Sequence, residues 1–194
     1  MVCEAFPKAM LLWHGAGGNR DHSHFLALEE ALDIPVRRLN FAYRERGPKQ
    51  PPGRANRLVE EAMESIAEVA AELGVDPSEM VFGGRSMGGR IASMAVAEGQ
   101  VAAGLVLLSY PLHPPGKPMK LRVDHFPKIF CPVLFVSGDR DPFGMPAEWP
   151  KHFETIPGEV SVQWLEGDAH DPKKNNGTLV DAVTLWVKDL VPHF

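Results

Sequence analysis

MVFGGRSMGGRIA, running from Met80 to Ala92, is the stretch on which the reading of this chain turns. Met80 to Phe82 is a short apolar run, and Gly83, Gly84, Gly88 and Gly89 crowd around Ser86 before Ile91, Met94 and Ala95 resume a helical spacing. The pattern predicts a buried strand, a sharp turn bearing a serine, and a helix. Gly84-Arg85-Ser86-Met87-Gly88 is thus a G-x-S-x-G set between strand and helix, the context the motif requires. A serine at the tip of such a turn sits in a strained backbone conformation, and its flanks take glycine because neighbouring chain lies too close for a Cβ. A helix beginning at Met87 brings free N–H groups and a positive dipole end beside the serine oxygen. The alternative is a glycine-rich turn with an incidental serine, and the rest of the chain decides between the two.

Upstream, Lys8 to Trp13 reads as a strand ending in His14-Gly15-Ala16-Gly17-Gly18-Asn19, a loop that opens onto a helix near Asp21 carrying Phe25, Leu26, Leu28 and Leu32. The loop lacks the Lys-Ser/Thr of a phosphate-binding loop and the G-x-G-x-x-G of a dinucleotide site. What remains is half of an oxyanion hole from backbone N–H groups near Ala16 and Gly17, with Met87 supplying the other half, or else a simple tight turn. Pro35 to Asn40 is a second strand. The proline-rich loop Phe41 to Gly53 holds Arg44, Arg46 and Lys49, with Arg54 and Arg57 just beyond; these five cations read as a solvated face in preference to an anion-binding one. Arg54 to Leu73 is an amphipathic helix with Leu58, Ala62, Ile66, Val69 and Leu73 on one side.

Downstream, the serine helix runs to about Glu98. Leu105 to Tyr110, Pro132 to Ser137 and Val160 to Leu165 are further apolar strands, and Leu179 to Leu190 is a closing helix. Pro111 to Pro127, with five prolines and little periodicity, reads as a structured loop in place of a lid domain. Non-alternating strands separated by helices predict an α/β fold: a mostly parallel sheet of about six strands covered by helices on both faces, with no cap domain.

A chain of 194 residues with 44% hydrophobic content is large enough for one core, so a single domain over 1–194 is expected. The net charge is −5 and the basic residues are scattered, which argues against nucleic acid as partner. The N-terminal MVCEAFPKAMLLW has no apolar run suited to a signal peptide, and no stretch approaches the roughly 18 apolar residues of a spanning helix. Cys3 and Cys131 are expected as reduced thiols, and the protein as cytoplasmic, without membrane attachment.

In a parallel sheet, chemistry collects at the carboxyl ends of the strands. His14 to Asn19, Ser86, Tyr110, Asp139 to Asp141 and His170 all fall at such ends, in the order Ser, Asp, His. A serine hydroxyl attacks a carbonyl only with a base beside it, and His170 is assigned that role. Asp141 is the carboxylate expected to orient the imidazole, with Asp139 as the second candidate and a local turn bond as its other role. Asp168 and Asp171 are expected to cap or solvate the His170 loop. His22 and His24 alternate near a helix start but lack the carboxylate or cysteine partners of a metal site, so neither metal nor cofactor is expected. His14, Gly17, Arg85, Tyr110 and His113 are candidates for the pocket wall. For His113 a structural role competes with that one, and for Arg85 a salt bridge under the turn competes with binding a substrate carboxylate.

At these residues the sequence resembles the serine α/β hydrolases, within them the compact, lidless dienelactone-hydrolase-like proteins. HGAGGNRDH, GGRSMGG, YPLHPPGKP, SGDRDPFG and GDAH together are more closely similar to the testis-expressed hydrolase-like proteins and the hydrolase-like subunit of a histone-acetyltransferase complex. The resemblance implies Ser86 as nucleophile, Asp141 as acid and His170 as base, in a serine hydrolase cleaving a small or accessible ester or thioester through an acyl-enzyme. Dienelactone hydrolases carry cysteine where this chain has Ser86, so their substrate does not transfer. The rival expectation is a non-catalytic hydrolase-like interaction module, since the closer group includes scaffolds; a cofactor-free perhydrolase is a third. The substrate and the oligomeric state are not legible.

Overall fold

The structure, a computed structural model, describes residues 6–191. Cys3 and the first five positions of the N-terminal stretch lie outside the described residues. Six strands form one sheet: β1 (Ala9–Trp13), β2 (Val36–Leu39), β3 (Met80–Arg85), β4 (Gly104–Leu108), β5 (Val133–Gly138) and β6 (Val160–Leu165). Their order is β2-β1-β3-β4-β5-β6 and every pairing is parallel. Parallel neighbours require crossovers, and all but the one from β4 to β5 contain α-helix: α1 (Ser23–Ala31), the four-residue α2 (Ala42–Glu45), α3 (Ala55–Leu73), α4 (Met87–Ala97) and the four-residue α5 (Pro150–Phe153); α6 (Asn176–Asp189) follows β6. The predicted α/β architecture is the one observed.

Because side chains alternate across a strand, β1 feeds two cores. Ala9, Leu11 and Trp13 join Leu58, Ile66 and Ile91 of α3 and α4 on one face, while Met10 and Leu12 join Phe25 and Leu28 of α1 and Leu179 and Val183 of α6 on the other. Strands buried on both sides have no polar positions to alternate, which is why they read as continuous apolar runs. The long helix α3 ends where Gly74 takes a left-handed φ of 64° and donates to the Ala70 carbonyl.

Several boundaries differ from expectation by a few residues. α1 begins at Ser23, its cap the His22 imidazole accepting from the His24 N–H at 3.3 Å, and α6 begins three residues before Leu179. The short α2 and α5 were not anticipated, because four residues carry no measurable period. The 109–132 connection contains only a 3₁₀ turn, Phe126–Lys128, so no cap domain is inserted there. Among the described residues no helix is long and apolar enough to cross a membrane. Cys131 is a free thiol that burial pushes up to about 12, which leaves it protonated and inert.

Candidate active site

The serine turn is built by close approach. Ser86, between β3 and α4, has φ 52° and ψ −114°, a conformation rarely populated by a residue with a Cβ. Gly84 leads into it with φ 155°, and a Cβ there would lie 2.1 Å from the Trp13 carbonyl oxygen of β1. A Cβ on Gly88 would lie 1.9 Å from the same oxygen. Glycine at these two positions lets the turn nest against the end of β1, and the Ser86 N–H is fixed by the Leu108 carbonyl of β4 at 2.8 Å.

Nesting aims Ser86 Oγ at His170, whose Nε2 is 2.9 Å away. The other ring nitrogen, Nδ1, donates to Asp141 Oδ2 at 2.8 Å. An ionised carboxylate accepts only, so the proton sits on Nδ1 and Nε2 is left to accept from the serine hydroxyl. Asp141 is 1% exposed, and its second oxygen accepts the Phe143 N–H at 2.9 Å. The Phe143 ring covers the imidazole, with centroids 4.0 Å apart. Asp139, the second candidate, instead accepts the Gly167 N–H at 2.7 Å, a bond that reaches across to the loop after β6, where a bond within its own turn was expected.

The loop bearing His170 is tied down from both sides. Asp168 accepts from the backbone of Lys173, Lys174 and Asn175. Burial raises its carboxyl pKa, and the hydrogen bonds from Lys173, Asn175 and Lys174 outweigh that and hold it below the usual carboxylate range. Arg85 Nη2 donates to the His170 carbonyl at 2.9 Å and pairs with Asp171 at 3.1 Å, the bridge under the turn that competed with substrate binding. Burial lowers its pKa, with Asp171 and Asp141 acting against that.

The loop after β1 is arranged just as tightly. The Gly15 carbonyl accepts from His14 Nδ1 at 2.7 Å and from the Gly18 N–H at 2.9 Å. The Ala16 carbonyl accepts from Tyr43 Oη and Arg44 Nη2, each at 2.9 Å. In a trans peptide N–H and C=O point opposite ways, so anchoring the Gly15 oxygen on His14 directs the Ala16 N–H away from that ring. Met87 is the first residue of α4, and its N–H has no partner within the helix.

A cavity of about 470 Å³ opens over Ser86 and His170, and Ala16, Gly17, Arg85 and Met87 border it as expected. Three expected wall residues do not. His14 is 1% exposed, its Nε2 accepting the Phe41 N–H at 3.3 Å; burial lowers its pKa, so it is a neutral positioning group behind the loop. Tyr110 is packed among Phe126, Phe135 and Trp149, and its hydroxyl donates to the Arg122 carbonyl at 2.6 Å. His113 is turned to the Pro114 carbonyl and the Glu148 carboxylate, each at 2.9 Å. A strand end brings a residue near the site without saying which way its side chain points. Phe143, Arg90 and Arg122 are among the wall residues that were missed. Arg90 carries a signal, standing four residues after Ser86 on the same helix face; Arg122, in an aperiodic loop, carries none. Among the described residues no group of three or more His, Cys, Asp or Glu is placed to hold a metal ion. His22 pairs with Asp171 and His24 bonds the Pro172 carbonyl.

A parallel sheet with a strained serine between strand and helix, followed in order by an aspartate and a histidine, defines the α/β hydrolase class. A family model described as alpha/beta hydrolase domain matches residues 7–189, and the chain belongs to that family. Among solved structures, Est1E from Butyrivibrio proteoclasticus with bound ferulic acid superposes with a TM-score of 0.75 at 18% identity, over 94% of this chain and 89% of that one. A monoacylglycerol lipase from Paleococcus ferrophilus gives 0.73 at 17% identity, covering 96% of each chain. An α/β serine hydrolase homologue from Coxiella burnetii gives 0.71 at 20% identity, over 96% and 86%. At these identities the likeness is one of fold.

Proposed function

We propose that the protein is a serine hydrolase that cleaves a carboxylic ester or thioester of a small or accessible acyl group. The observation that carries this reading is the unbroken chain of hydrogen bonds from Ser86 Oγ through His170 to Asp141 at the floor of an open cavity. In the proposed reaction His170 Nε2 takes the Ser86 hydroxyl proton as Oγ bonds to the substrate carbonyl carbon. The oxyanion is held by the N–H groups of Met87 and Ala16. His170 then protonates the departing alcohol or thiol as the carbonyl re-forms, leaving an acyl group on Ser86. A water molecule repeats the sequence, giving its proton to His170 and releasing the acid and free Ser86. Asp141 stays ionised throughout and stabilises the imidazolium. No metal or cofactor enters, and the reading takes the protein as a single cytoplasmic domain acting on a small-molecule substrate.

The hydrolase reading gives a use to Ser86 at φ 52° with its hydroxyl on His170, a conformation that costs of order 1–3 kcal/mol. The test is labelling of the purified protein with a fluorophosphonate. Labelling of the wild type that is lost in both Ser86→Ala and His170→Ala is the expected result. A folded wild type that stays unlabelled overturns the reading and gives the lead to an interaction module.

A further inference from the structure

Six arginines are half-buried: Arg37, Arg38, Arg44, Arg85, Arg90 and Arg122. Four are engaged, Arg37 with Glu72, Arg38 with Asp21 and Glu29, Arg44 with the Ala16 carbonyl, and Arg85 with His170 and Asp171. The guanidinium groups of Arg90 and Arg122 make no ion pair or hydrogen bond among the described residues, and Arg90 Nε is buried without a partner. Both border the Ser86 cavity, and none of the residues around that cavity is Asp or Glu. The two are close enough that the charge on Arg90, after burial, lowers the Arg122 pKa.

Two unpaired guanidinium groups bordering one half-buried cavity repel and lose hydration, a cost that an oxyanion bound by both would relieve. Both are set on rigid supports. Arg90 lies one turn into α4, about 6 Å along the helix from Ser86. Arg122 is clamped through its backbone, its N–H donating to the Leu112 carbonyl at 2.9 Å and its carbonyl accepting from the buried Tyr110 hydroxyl at 2.6 Å.

We infer that Arg90 and Arg122 form an anion subsite of the Ser86 cavity, so that the ester cleaved there carries a carboxylate or phosphate a few bonds from its scissile carbonyl. This rests on the serine-hydrolase reading for the cleavage, though not for the binding, and the test separates the two. Hydrolysis is compared for monoethyl adipate against ethyl hexanoate, a charge on the acyl arm, and for 2-acetoxyethyl phosphate against butyl acetate, a charge on the alcohol arm. The wild type is expected to favour the charged member of at least one pair by 10-fold or more in kcat/KM. That ratio falls about 10- to 100-fold in Arg90→Gln and Arg122→Gln, the range of a charge-assisted hydrogen bond, and is partly restored by Lys at either position. Calorimetric titration with N-ethyladipamic acid and N-ethylhexanamide, amides of the same shapes, reads binding independently of cleavage, and inorganic phosphate reads the phosphate arm. Equal treatment of charged and neutral members in both assays, or ratios unchanged in the glutamine variants, overturns the inference. If the wild type resists fluorophosphonate and cleaves no ester yet binds the anionic probes through Arg90 and Arg122, the subsite stands and the hydrolase reading falls.

Discussion

Replacing Gly88 with alanine tests the contact on which the site's geometry depends. Gly88 is the second residue of α4 and its φ lies outside the positive range, so alanine suits its backbone and only space is at issue. The new methyl would stand 1.9 Å from the Trp13 carbonyl oxygen, 2.4 Å from its carbon and 2.8 Å from the His14 oxygen, where an ordinary contact is about 3.4 Å or more. The helix and β1 would have to part by roughly 1.5 Å, the difference between that ordinary contact and the 1.9 Å approach. β1 cannot give way, because it is paired along its length with β2 on one side and β3 on the other. The strain is about 3 kcal/mol or more. In a chain of this size that lowers Tm by roughly 6–12 °C. Displacing Trp13 and His14 also moves the peptide that presents the Ala16 N–H. The rate of fluorophosphonate labelling is therefore expected to fall well below the melting transition, at temperatures where circular dichroism shows a folded protein. A Gly88→Ala protein that melts within 2 °C of wild type, about what an open surface position gives, refutes the close approach of turn and strand.

Asp141→Asn keeps the shape of the acid but removes the acceptor that holds the proton on His170 Nδ1. Labelling and ester turnover are expected to drop about 10³- to 10⁴-fold with little change in Tm, and a loss under 10-fold would transfer the role to another group. Arg85→Gln removes the bond to the His170 carbonyl and the Asp171 pair; about 10-fold slower labelling is expected, and an unchanged rate would mean the loop holds itself. His125 is pulled down to about 4 by burial, then by the charge of Arg90, against the opposite pull of Asp124. Its folded pKa lies below the unfolded 6.5, so the unfolded chain binds more protons between those values and stability is lost as pH falls through that window. From pH 7 to 5 the loss is about 2 kcal/mol, or roughly 4–8 °C in Tm, and His125→Gln, which retains a donor to Ser93, removes that share of the drop. Equal pH dependence of variant and wild type would show that His125 titrates normally in the folded state.

The parts of the site that could be read from sequence are those whose position follows from local pattern and chain topology. Ser86 announces itself because a strained turn needs glycines at fixed offsets. Asp141 and His170 follow because a parallel sheet delivers its strand ends to one edge. Asp141 was favoured over Asp139 by its spacing after Gly138 and by the resemblance, and in the structure the packing of the β6 loop gives Asp139 the Gly167 N–H and Asp141 the imidazole. The same limit explains His14, Tyr110 and His113. Each is at the correct edge, and each side chain points back into the fold: His14 holds the peptide leading to Ala16 and Tyr110 holds Arg122, both of which reach the cavity, while His113 bonds Pro114 and Glu148, which do not. In that sense these residues were found in the right place and given the wrong job.

That division between floor and wall bears on how the site acquires selectivity. At the floor, successive strand ends hook onto their neighbours, the Ser86 N–H onto Leu108 of β4 and the Ser109 N–H onto Val136 of β5, each at 2.8 Å. Ser109 has φ 48°, so a non-glycine residue with positive φ follows each of two adjacent strands. Such an edge tolerates little change, because each hook is braced by the next. The walls are different: the Pro52–Gly53 segment and the loop carrying Arg122 approach the cavity from connections that bear no sheet pairing. Arg122 is held by two hydrogen bonds that involve only its backbone, so its side chain is free to be replaced without loosening the loop. On the proposed reading, chemistry and specificity are partly separable: Ser86, Asp141 and His170 stand on strand ends and Arg90 on the helix braced against β1, whereas Arg122 stands on a loop that the sheet does not constrain.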